Sequence, residues 1–288
     1  MTAPTKTIPG VLRRYDPLAR KLRLLFDSPH SGTAYPADFR HDCARDAIRW
    51  GEDSFIDDLY GVAPAHGGCL LVADFPRTYI DPNRALEDMD PGMVEGDWPH
   101  QVIENPKAAE GIGLIWQNGG AGGSIYELKL SVAEVEKRIE TCWKPYHKEL
   151  DALAADMLAH WKKRWHINCH SMYSAPFAEH LGKAEVPGTD IVLGNRDGET
   201  CDATFVDVVA TAFRDEGLSV AVNKRFKGVE IVRKLGNPGR DCHSLQIEID
   251  RALYMDEWKM ERGPGYADLK RTVSRVVAQI AEFVRAQV

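Results

Sequence analysis

The sequence predicts an α/β fold, a three-layer sandwich in which a mixed, mostly parallel central sheet lies between helices. Two observations support this class. Short apolar runs of strand length alternate along the chain with longer segments whose apolar residues recur at helical spacing. The 288 residues, 44% hydrophobic and 27% charged, are enough for one large α/β domain or two small ones. We expect a single domain over residues 1–288.

The first half of the chain predicts two strands, one helix and a long loop. Leu22–Asp27 is a compact apolar run typical of a buried strand, and Cys69–Ala73 is a second one. Residues 52–66 have apolar side chains at helical spacing and acids in the first turn, where the helix dipole favours them. Residues 90–125 are rich in Gly, Pro and Asn and predict a long surface excursion, which in a compact domain usually has a function.

The second half predicts a regular alternation of helices and strands. A long amphipathic helix is expected from Ser131 to about His160, because Ser131 and Glu134 have the spacing of a capping box. The later strands are expected at Trp165–Asn168, Asp190–Leu193, Ser219–Val222 and Ser244–Ile249. The later helices are expected at Cys201–Glu216 and from Tyr266 to the end.

Charge and cysteine usage narrow the class of protein. The net charge of -7 disfavours nucleic acid and anionic membrane as partners. No apolar run approaches the ~18 residues of a membrane span, and the first residues contain no apolar signal segment. The six cysteines are scattered without a CxxC pair, which favours reduced thiols and a cytoplasmic location. Oligomeric state is left open.

Two histidines follow or end predicted strands. His30 comes just after the first strand, on a loop marked by Pro29 and Gly32, and His170 ends a later one. Ligands and metals collect at the carboxyl edge of such sheets. Two imidazoles with one carboxylate, from Glu52 or Asp53, form the pattern of a catalytic zinc site with an open position. The alternative is that each histidine only caps a strand or binds a carbonyl.

Glu248 is the candidate general base. In the alternating strand around it, Gln246, Glu248 and Asp250 share one face. A carboxylate within an apolar strand is unfavourable unless it has a partner or a chemical role. The alternative is a salt-bridged strand residue near a sheet edge.

Polar and cationic side chains around two turns are candidates for binding the substrate. Arg77 and Arg84 flank the turn that contains Asn83, and paired guanidiniums suit a bidentate grip on a carboxylate. The alternative for Arg84 is a structural ion pair with Asp81. Arg196, in the loop 194–198, either binds a polar ligand or fixes a turn. The segment Asn237–Arg240 is either a substrate loop or a plain turn.

Five ordered motifs give the chain a family resemblance. It resembles the N-formylglutamate amidohydrolases, zinc-dependent enzymes of bacterial histidine catabolism, over roughly Leu24 to Glu257. The motifs are Ser28-Pro29-His30-Ser31-Gly32, Glu52–Tyr60, Arg77-Thr78-Tyr79-Ile80-Asp81-Pro82-Asn83-Arg84, Asn168-Cys169-His170-Ser171-Met172 and Leu245–Met255.

The resemblance implies a fold, a ligand set and an acid–base residue. The fold is of the zinc carboxypeptidase and aspartoacylase type, with His30 and His170 as metal ligands and Glu248 as general base. The wider carboxypeptidase group has its acidic ligand three residues after the first histidine, but position 33 here is Thr. The acid must therefore come from the next helix, as Glu52, Asp53 or Asp57, and we favour Asp53.

The expected function is zinc-dependent hydrolysis of N-formyl-L-glutamate, a small molecule, to formate and L-glutamate. Glu248 would transfer the proton, and Arg77 or Arg84 would hold the substrate carboxylate or the oxyanion. Asn83 and Arg196 complete the substrate-binding set. One alternative is a related zinc carboxypeptidase or N-acyl amino acid deacylase acting on another acidic amide. A second alternative is a catalytically inactive binding protein on the same scaffold.

Overall fold

A central sheet of eight strands organises the molecule. The structure is a computed structural model that describes residues 2–120, 123–183 and 188–287. In chain order the strands are β1 (Lys6–Ile8), β2 (Leu12–Tyr15), β3 (Leu24–Ser28), β4 (Cys69–Ala73), β5 (Arg164–Met172), β6 (Ile191–Gly194), β7 (Val220–Val222) and β8 (Cys242–Asp250). Their spatial order is β1-β2-β4-β3-β5-β8-β6-β7.

The pairings confirm a mixed, mostly parallel sheet. The pairs β3–β4, β3–β5, β5–β8 and β6–β7 are parallel, whereas β1–β2, β2–β4 and β6–β8 are antiparallel. The central strands β4, β3, β5 and β8 therefore run in one direction, and their carboxyl ends meet at one edge.

Helices cover both faces of the sheet and complete the three layers. The α-helices are α1 (Arg45–Arg49), α2 (Ile56–Leu59), α3 (Pro106–Ala109), α4 (Val132–Arg138), α5 (Lys144–Trp161), α6 (Ala175–His180), α7 (Ala203–Asp215), α8 (Glu230–Leu235) and α9 (Tyr266–Ala286). One core packs α2, α7 and α9 against the sheet, and a second packs α4, α5 and α8 against its other face.

The long helix and the excursion both belong to the second core. The capping box of Ser131 and Glu134 is present, and a π-helical segment, Ile139–Trp143, joins α4 to α5. Residues 90–125 have little regular structure, and 121–122 lie outside the described residues. The expectation that this excursion lies on the surface is wrong for its middle, because Leu114, Ile115 and Trp116 are buried in the second core.

The predicted helix over 52–66 is broken. Phe55 has left-handed backbone dihedral angles with φ of 67°, and only Ile56–Leu59 is α-helical before a 3₁₀ turn at Ala63–His66. Glu52 and Asp53 precede α2 instead of beginning it. The backbone N–H of Asp53 donates to the His30 carbonyl at 3.0 Å, which holds this segment against the His30 loop.

Several boundaries differ from the expectation. The strand predicted to end at Asn168 continues to Met172, because β5 pairs with β8 along its whole length. The elements β1, β2, α1, α6 and α8 are short and were not predicted from their patterns. Asn237–Arg240 leads into the amino end of β8, the end opposite Glu248, and forms a plain turn with a short 3₁₀ segment.

Two further findings concern membranes and thiols. Within the described ranges, none of the helices combines the length and the hydrophobicity needed to cross a bilayer. All six cysteines carry free thiols.

Candidate metal centre and active site

His30, Asp53 and His170 form a buried group at the carboxyl edge of the sheet. His30 follows β3, His170 lies near the end of β5, and Asp53 comes from the segment before α2. The Asp53 Oδ2 atom lies 3.3 Å from His30 Nδ1 and 2.9 Å from His170 Nδ1. The ligand atoms of all three residues lie within 4.8 Å of one another. Two imidazole nitrogens and one carboxylate oxygen thus face a common point.

Each histidine also has a partner on its other ring nitrogen. His30 Nε2 lies 2.8 Å from Asp81 Oδ1, and His170 Nε2 lies 2.6 Å from Asn168 Oδ1. Metal-binding histidines have such outer acceptors, which fix the ring and leave the inner nitrogen free of its proton. This donor set fits a divalent transition metal held by the two Nδ1 atoms and Asp53.

Of the three candidate acids, Asp53 is the one that reaches both histidines. Glu52 contacts the Tyr35 hydroxyl instead, and Asp57 lies 3.2 Å from Arg13. Burial raises the pKa of Asp53, but the contacts with His170 and His30 outweigh this and hold it well below its ordinary value. Arg251 supports the ionised form, since its Nη2 lies 3.1 Å from Asp53 Oδ1. The carboxylate is therefore charged and suited to a cation.

Asp81 connects the centre to Arg77. The Arg77 guanidinium pairs with Asp81 Oδ2 at 2.9 Å and lies over the Trp116 ring at 4.7 Å. Trp116 Nε1 donates to the same oxygen at 3.1 Å. The structural ion pair with Asp81 that the sequence suggested for Arg84 is thus formed by Arg77. The Nη1 atom of Arg77 lies 3.9 Å from Asp53.

Arg84 and Arg196 line a cavity of about 370 Å³. Arg84 is buried and donates to the carbonyls of Ile112 and Asn83, both at 3.1 Å. Arg196 pairs with Glu199 at 3.1 Å. The described residues lining this cavity do not include His30, Asp53 or His170. The structure therefore brings these two arginines together, but not into direct contact with the histidine group.

Asn83 lies beside the candidate metal centre, not on the cavity wall. Its Oδ1 accepts from the backbone N–H of Ile231 at 2.9 Å. Its Nδ2 consequently faces the β5 side chains, 3.1 Å from His170 Nε2 and 3.4 Å from Asn168 Oδ1. The side chain is fixed between the sheet and α8.

Glu248 is opposite His170 in the register of β5 and β8. Its side chain is buried and accepts from Gln246 Nε2 at 2.9 Å. Among the described residues, Glu248 takes part in no ion pair, so the salt-bridge alternative has no partner there. Burial, followed by the nearby charge of Asp53, raises the pKa of Glu248 well above its ordinary value. A carboxyl group with a raised pKa suits proton transfer.

Comparison with known proteins identifies the family. A family model for N-formylglutamate amidohydrolase matches residues 22–255. The chain belongs to the N-formylglutamate amidohydrolase family. The resemblance inferred from the five motifs is therefore confirmed.

Individual members of this family are similar over most of the chain. The N-formylglutamate deformylase of Pseudomonas putida is 28% identical over 82% of this chain and 83% of its own length. That of Pseudomonas aeruginosa is 28% identical over 92% of this chain and 94% of its own. A crystal structure of N-formylglutamate amidohydrolase from Ralstonia eutropha is 43% identical, covers 97% of this chain and 100% of its own, and has a TM-score of 0.92.

Three residues near the centre of this N-formylglutamate amidohydrolase family member were not assigned a site role from sequence. From the sequence, Asp81 is a turn residue and a possible structural partner of Arg84, and Asn168 and Arg251 occur only within motifs. The signal for Asn168 was present in β5, where polar His166, Asn168 and His170 alternate with apolar residues. Arg251 gave no such signal, because only the folded chain brings it to Asp53.

A second group with metal-binding residue types lies elsewhere. Cys201, Asp202 and His243 have ligand atoms within 4.8 Å of one another. Asp202 already caps α7 by accepting from the Phe205 N–H at 2.8 Å, and it faces His243 at 3.4 Å. A helix cap paired with a histidine explains this group structurally.

Proposed function

We propose that the protein hydrolyses the formyl amide of N-formyl-L-glutamate to formate and L-glutamate, using a zinc ion bound by His30, Asp53 and His170. The observation that carries the proposal is the convergence of two Nδ1 atoms and one carboxylate oxygen beside Glu248. The names of the family members similar to this chain support the substrate. When bound, zinc polarises the carbonyl and lowers the pKa of water.

The role of Glu248 follows from its position and protonation. In the reaction the oxygen of water bonds to the formyl carbon, the C–N bond breaks, and one proton must reach the leaving nitrogen. Glu248 accepts that proton from water and donates it to the amine. Gln246 orients the carboxylate by donating to Oε1 at 2.9 Å.

Arg77 is proposed to hold the developing oxyanion. Its Nε and Nη2 are directed to Asp81 Oδ2, so Nη1 is the end of the guanidinium that lies towards Asp53. Trp116 beneath the guanidinium keeps the fork rigid. A fixed donor costs little reorganisation when negative charge develops on the carbonyl oxygen.

Arg84, Asn83 and Arg196 are proposed to bind the substrate's carboxylates. The two arginines face the same cavity, and Asn83 adjoins Arg84 in sequence and His170 in space. Guanidinium groups suit carboxylates because two parallel hydrogen bonds form. A cytoplasmic location remains a prediction, with which the free thiols are compatible.

A formate-release assay tests the function. The zinc-loaded protein should cleave N-formyl-L-glutamate with a kcat/KM at least ~10-fold above that for N-formyl-L-glutamine, since a hydrogen bond to a charged group contributes about 1.5–3 kcal/mol. His30→Ala and His170→Ala should lose both zinc and activity. Full zinc retention in both variants would contradict the metal site, and equal rates on the two substrates would contradict the acidic specificity.

The same assay tests whether Arg196 binds the side-chain carboxylate of the substrate. Arg196→Lys keeps the charge but loses the planar fork. It should raise KM for N-formyl-L-glutamate more than for N-formyl-L-glutamine if Arg196 binds the side-chain carboxylate. Arg233→Lys is the matched control: Arg233 lines the same cavity, but its Nε and Nη2 both donate to Glu230, at 2.8 and 2.9 Å, whereas Arg196 donates to Glu199 through Nε alone. An unchanged KM for Arg196→Lys would remove Arg196 from the substrate site.

A further inference from the structure

A row of polar side chains crosses three neighbouring strands behind the metal centre. On the face that packs against α5, Asp27 of β3 is opposite Asn168 of β5, and His166 of β5 is opposite Ser244 of β8. All four side chains are fully buried. An ionised carboxylate at such a place is costly unless it is hydrogen-bonded, and an apolar residue would fill the core equally well. Packing alone therefore does not explain why these four residues are polar.

Within this row, Asp27 contacts both Asn168 and His166. Its Oδ1 accepts from Asn168 Nδ2 and faces His166 Nε2, both at 2.8 Å, and its Oδ2 accepts from the Tyr146 hydroxyl at 2.8 Å. Burial raises the pKa of Asp27, but the contacts with His166, Asn168 and Tyr146 together lower it below its ordinary value. Asp27 is therefore a charged group that only accepts hydrogen bonds.

This property determines the orientation of the Asn168 amide. An amide offers an NH₂ group on one side and an oxygen on the other. Since Asp27 can only accept, the NH₂ group of Asn168 must face it. The oxygen of Asn168 must then face His170, whose Nε2 lies at 2.6 Å.

The Asn168 oxygen in turn determines the tautomer of His170. An acceptor at Nε2 requires the ring proton there, which leaves the lone pair on Nδ1, the nitrogen that lies 2.9 Å from Asp53. Asn83 Nδ2 lies 3.1 Å from His170 Nε2, and the Ile231 N–H fixes the Asn83 oxygen on the other side. The Asn83 NH₂ group can donate to Asn168 Oδ1 at 3.4 Å, so this oxygen serves as acceptor for both the amide and the protonated Nε2.

We propose that Asp27 is a positioning residue for the metal centre, which acts through the Asn168 amide to hold His170 in the tautomer that binds a metal through Nδ1. Asp27 itself does not touch the ion or the substrate. The inference rests on the proposed metal site, since it assigns His170 as a ligand. The contacts that orient His170 then include Asp27, which reaches this ligand through Asn168.

The test compares two variants that each remove one interaction of Asp27. Asp27→Asn allows the side chain to present NH₂ towards Asn168, so the Asn168 amide loses its fixed direction. Tyr146→Phe removes a hydrogen bond to the same carboxylate but keeps its charge and the Asn168 contact. We expect Asp27→Asn to weaken Zn²⁺ binding, measured by chelator competition, by about tenfold or more, the scale of lost outer partners. Tyr146→Phe should change it less than about twofold.

A rescue variant separates positioning from general stability. In the double variant Asp27→Asn/Asn168→Asp, residue 168 again presents only acceptors to His170 Nε2. It should regain most of the Zn²⁺ affinity and the visible spectrum of the Co²⁺-substituted protein that Asp27→Asn alone loses. A purely structural role for Asp27 predicts no such recovery, and failure of the rescue would overturn the proposal.

The remaining outcomes are also decisive. If Asp27→Asn does not fold, Asn168→Leu, which removes the acceptor and keeps Asp27, should show the same loss of affinity. Wild-type Zn²⁺ affinity in folded Asp27→Asn or in Asn168→Leu would refute the positioning role alone. Zn²⁺ binding that is unaffected by His30→Ala and His170→Ala would instead refute the metal site.

Discussion

At the scale of single residues, the candidate site depends on which groups are charged. Asp53 lies between two imidazoles and Arg251 and has a lowered pKa, whereas Glu248 lacks an ion-pair partner among the described residues and has a raised one. Two carboxyl groups with pKa values shifted in opposite directions are suited to different tasks. This separation supports Asp53 as ligand and Glu248 as proton carrier.

The variant Glu248→Gln tests this division. It keeps the shape of the side chain but cannot accept a proton, so kcat should fall by ~10² or more while zinc content stays at the wild-type level. The acid limb of the kcat/KM profile should also disappear, because the base is active only when pH exceeds its pKa. Loss of zinc in this variant would mean that Glu248 is a ligand.

A matched control accompanies this variant. Glu257→Gln changes another buried carboxyl group with a raised pKa, one that accepts from the Ser174 N–H at 3.2 Å. Its kcat should fall far less, because Glu257 does not adjoin His170. A similar fall in both variants would indicate a general effect of altering buried carboxyl groups.

At the scale of elements, the sequence predicted correctly those features that depend on interactions between residues close in the chain. The capping box of Ser131 and Glu134 begins the long helix as expected, with the Glu134 N–H donating to Ser131 Oγ at 3.2 Å. The helix predicted over 52–66 is wrong for most of its length, because its apolar spacing favours a helix while Asp53 bonds to the His30 loop. Tertiary contacts of Asp53 thus outweighed a modest helical propensity.

The capping interaction gives a prediction about stability. Ser131→Ala should lower the free energy of unfolding by about 1 kcal/mol, the usual loss for an N-cap, and leave kcat/KM unchanged. Urea denaturation measures the change. Thr141→Ala, in the following π-helical segment, removes a hydroxyl that donates to the Lys137 carbonyl at 2.7 Å and should have little effect. Equal effects of the two substitutions would argue against the cap.

At the scale of the whole molecule, the parallel centre of the sheet assembles the site. The strands β3, β5 and β8 are neighbours, so His30 and His170, about 140 positions apart, and His170 and Glu248, about 80 positions apart, come together at one edge. The candidate metal centre therefore joins the loop after β3, the end of β5 and the segment before α2. A ligand that binds the folded state alone stabilises it by mass action.

Metal removal should consequently lower the melting temperature. At a zinc concentration ~1,000 times the Kd, binding adds about 4 kcal/mol, and chelation should lower Tm by several degrees. Differential scanning calorimetry with and without a chelator measures the shift. His30→Ala should melt at a temperature insensitive to the chelator, and a wild-type Tm equally insensitive would contradict a metal bound at this centre.

The sequence by itself predicted six strands of the central sheet, the capped helix, the family and the candidate site residues His30, His170 and Glu248. These follow from local periodicity, from hydrogen bonds between residues close in sequence, and from ordered motifs. Only the tertiary structure decided which acid faces both histidines, which arginine pairs with Asp81, that Asp27 contacts Asn168, and that Arg251 contacts Asp53. These contacts join residues far apart in the chain, and their geometry depends on strand order and register, which no local pattern specifies.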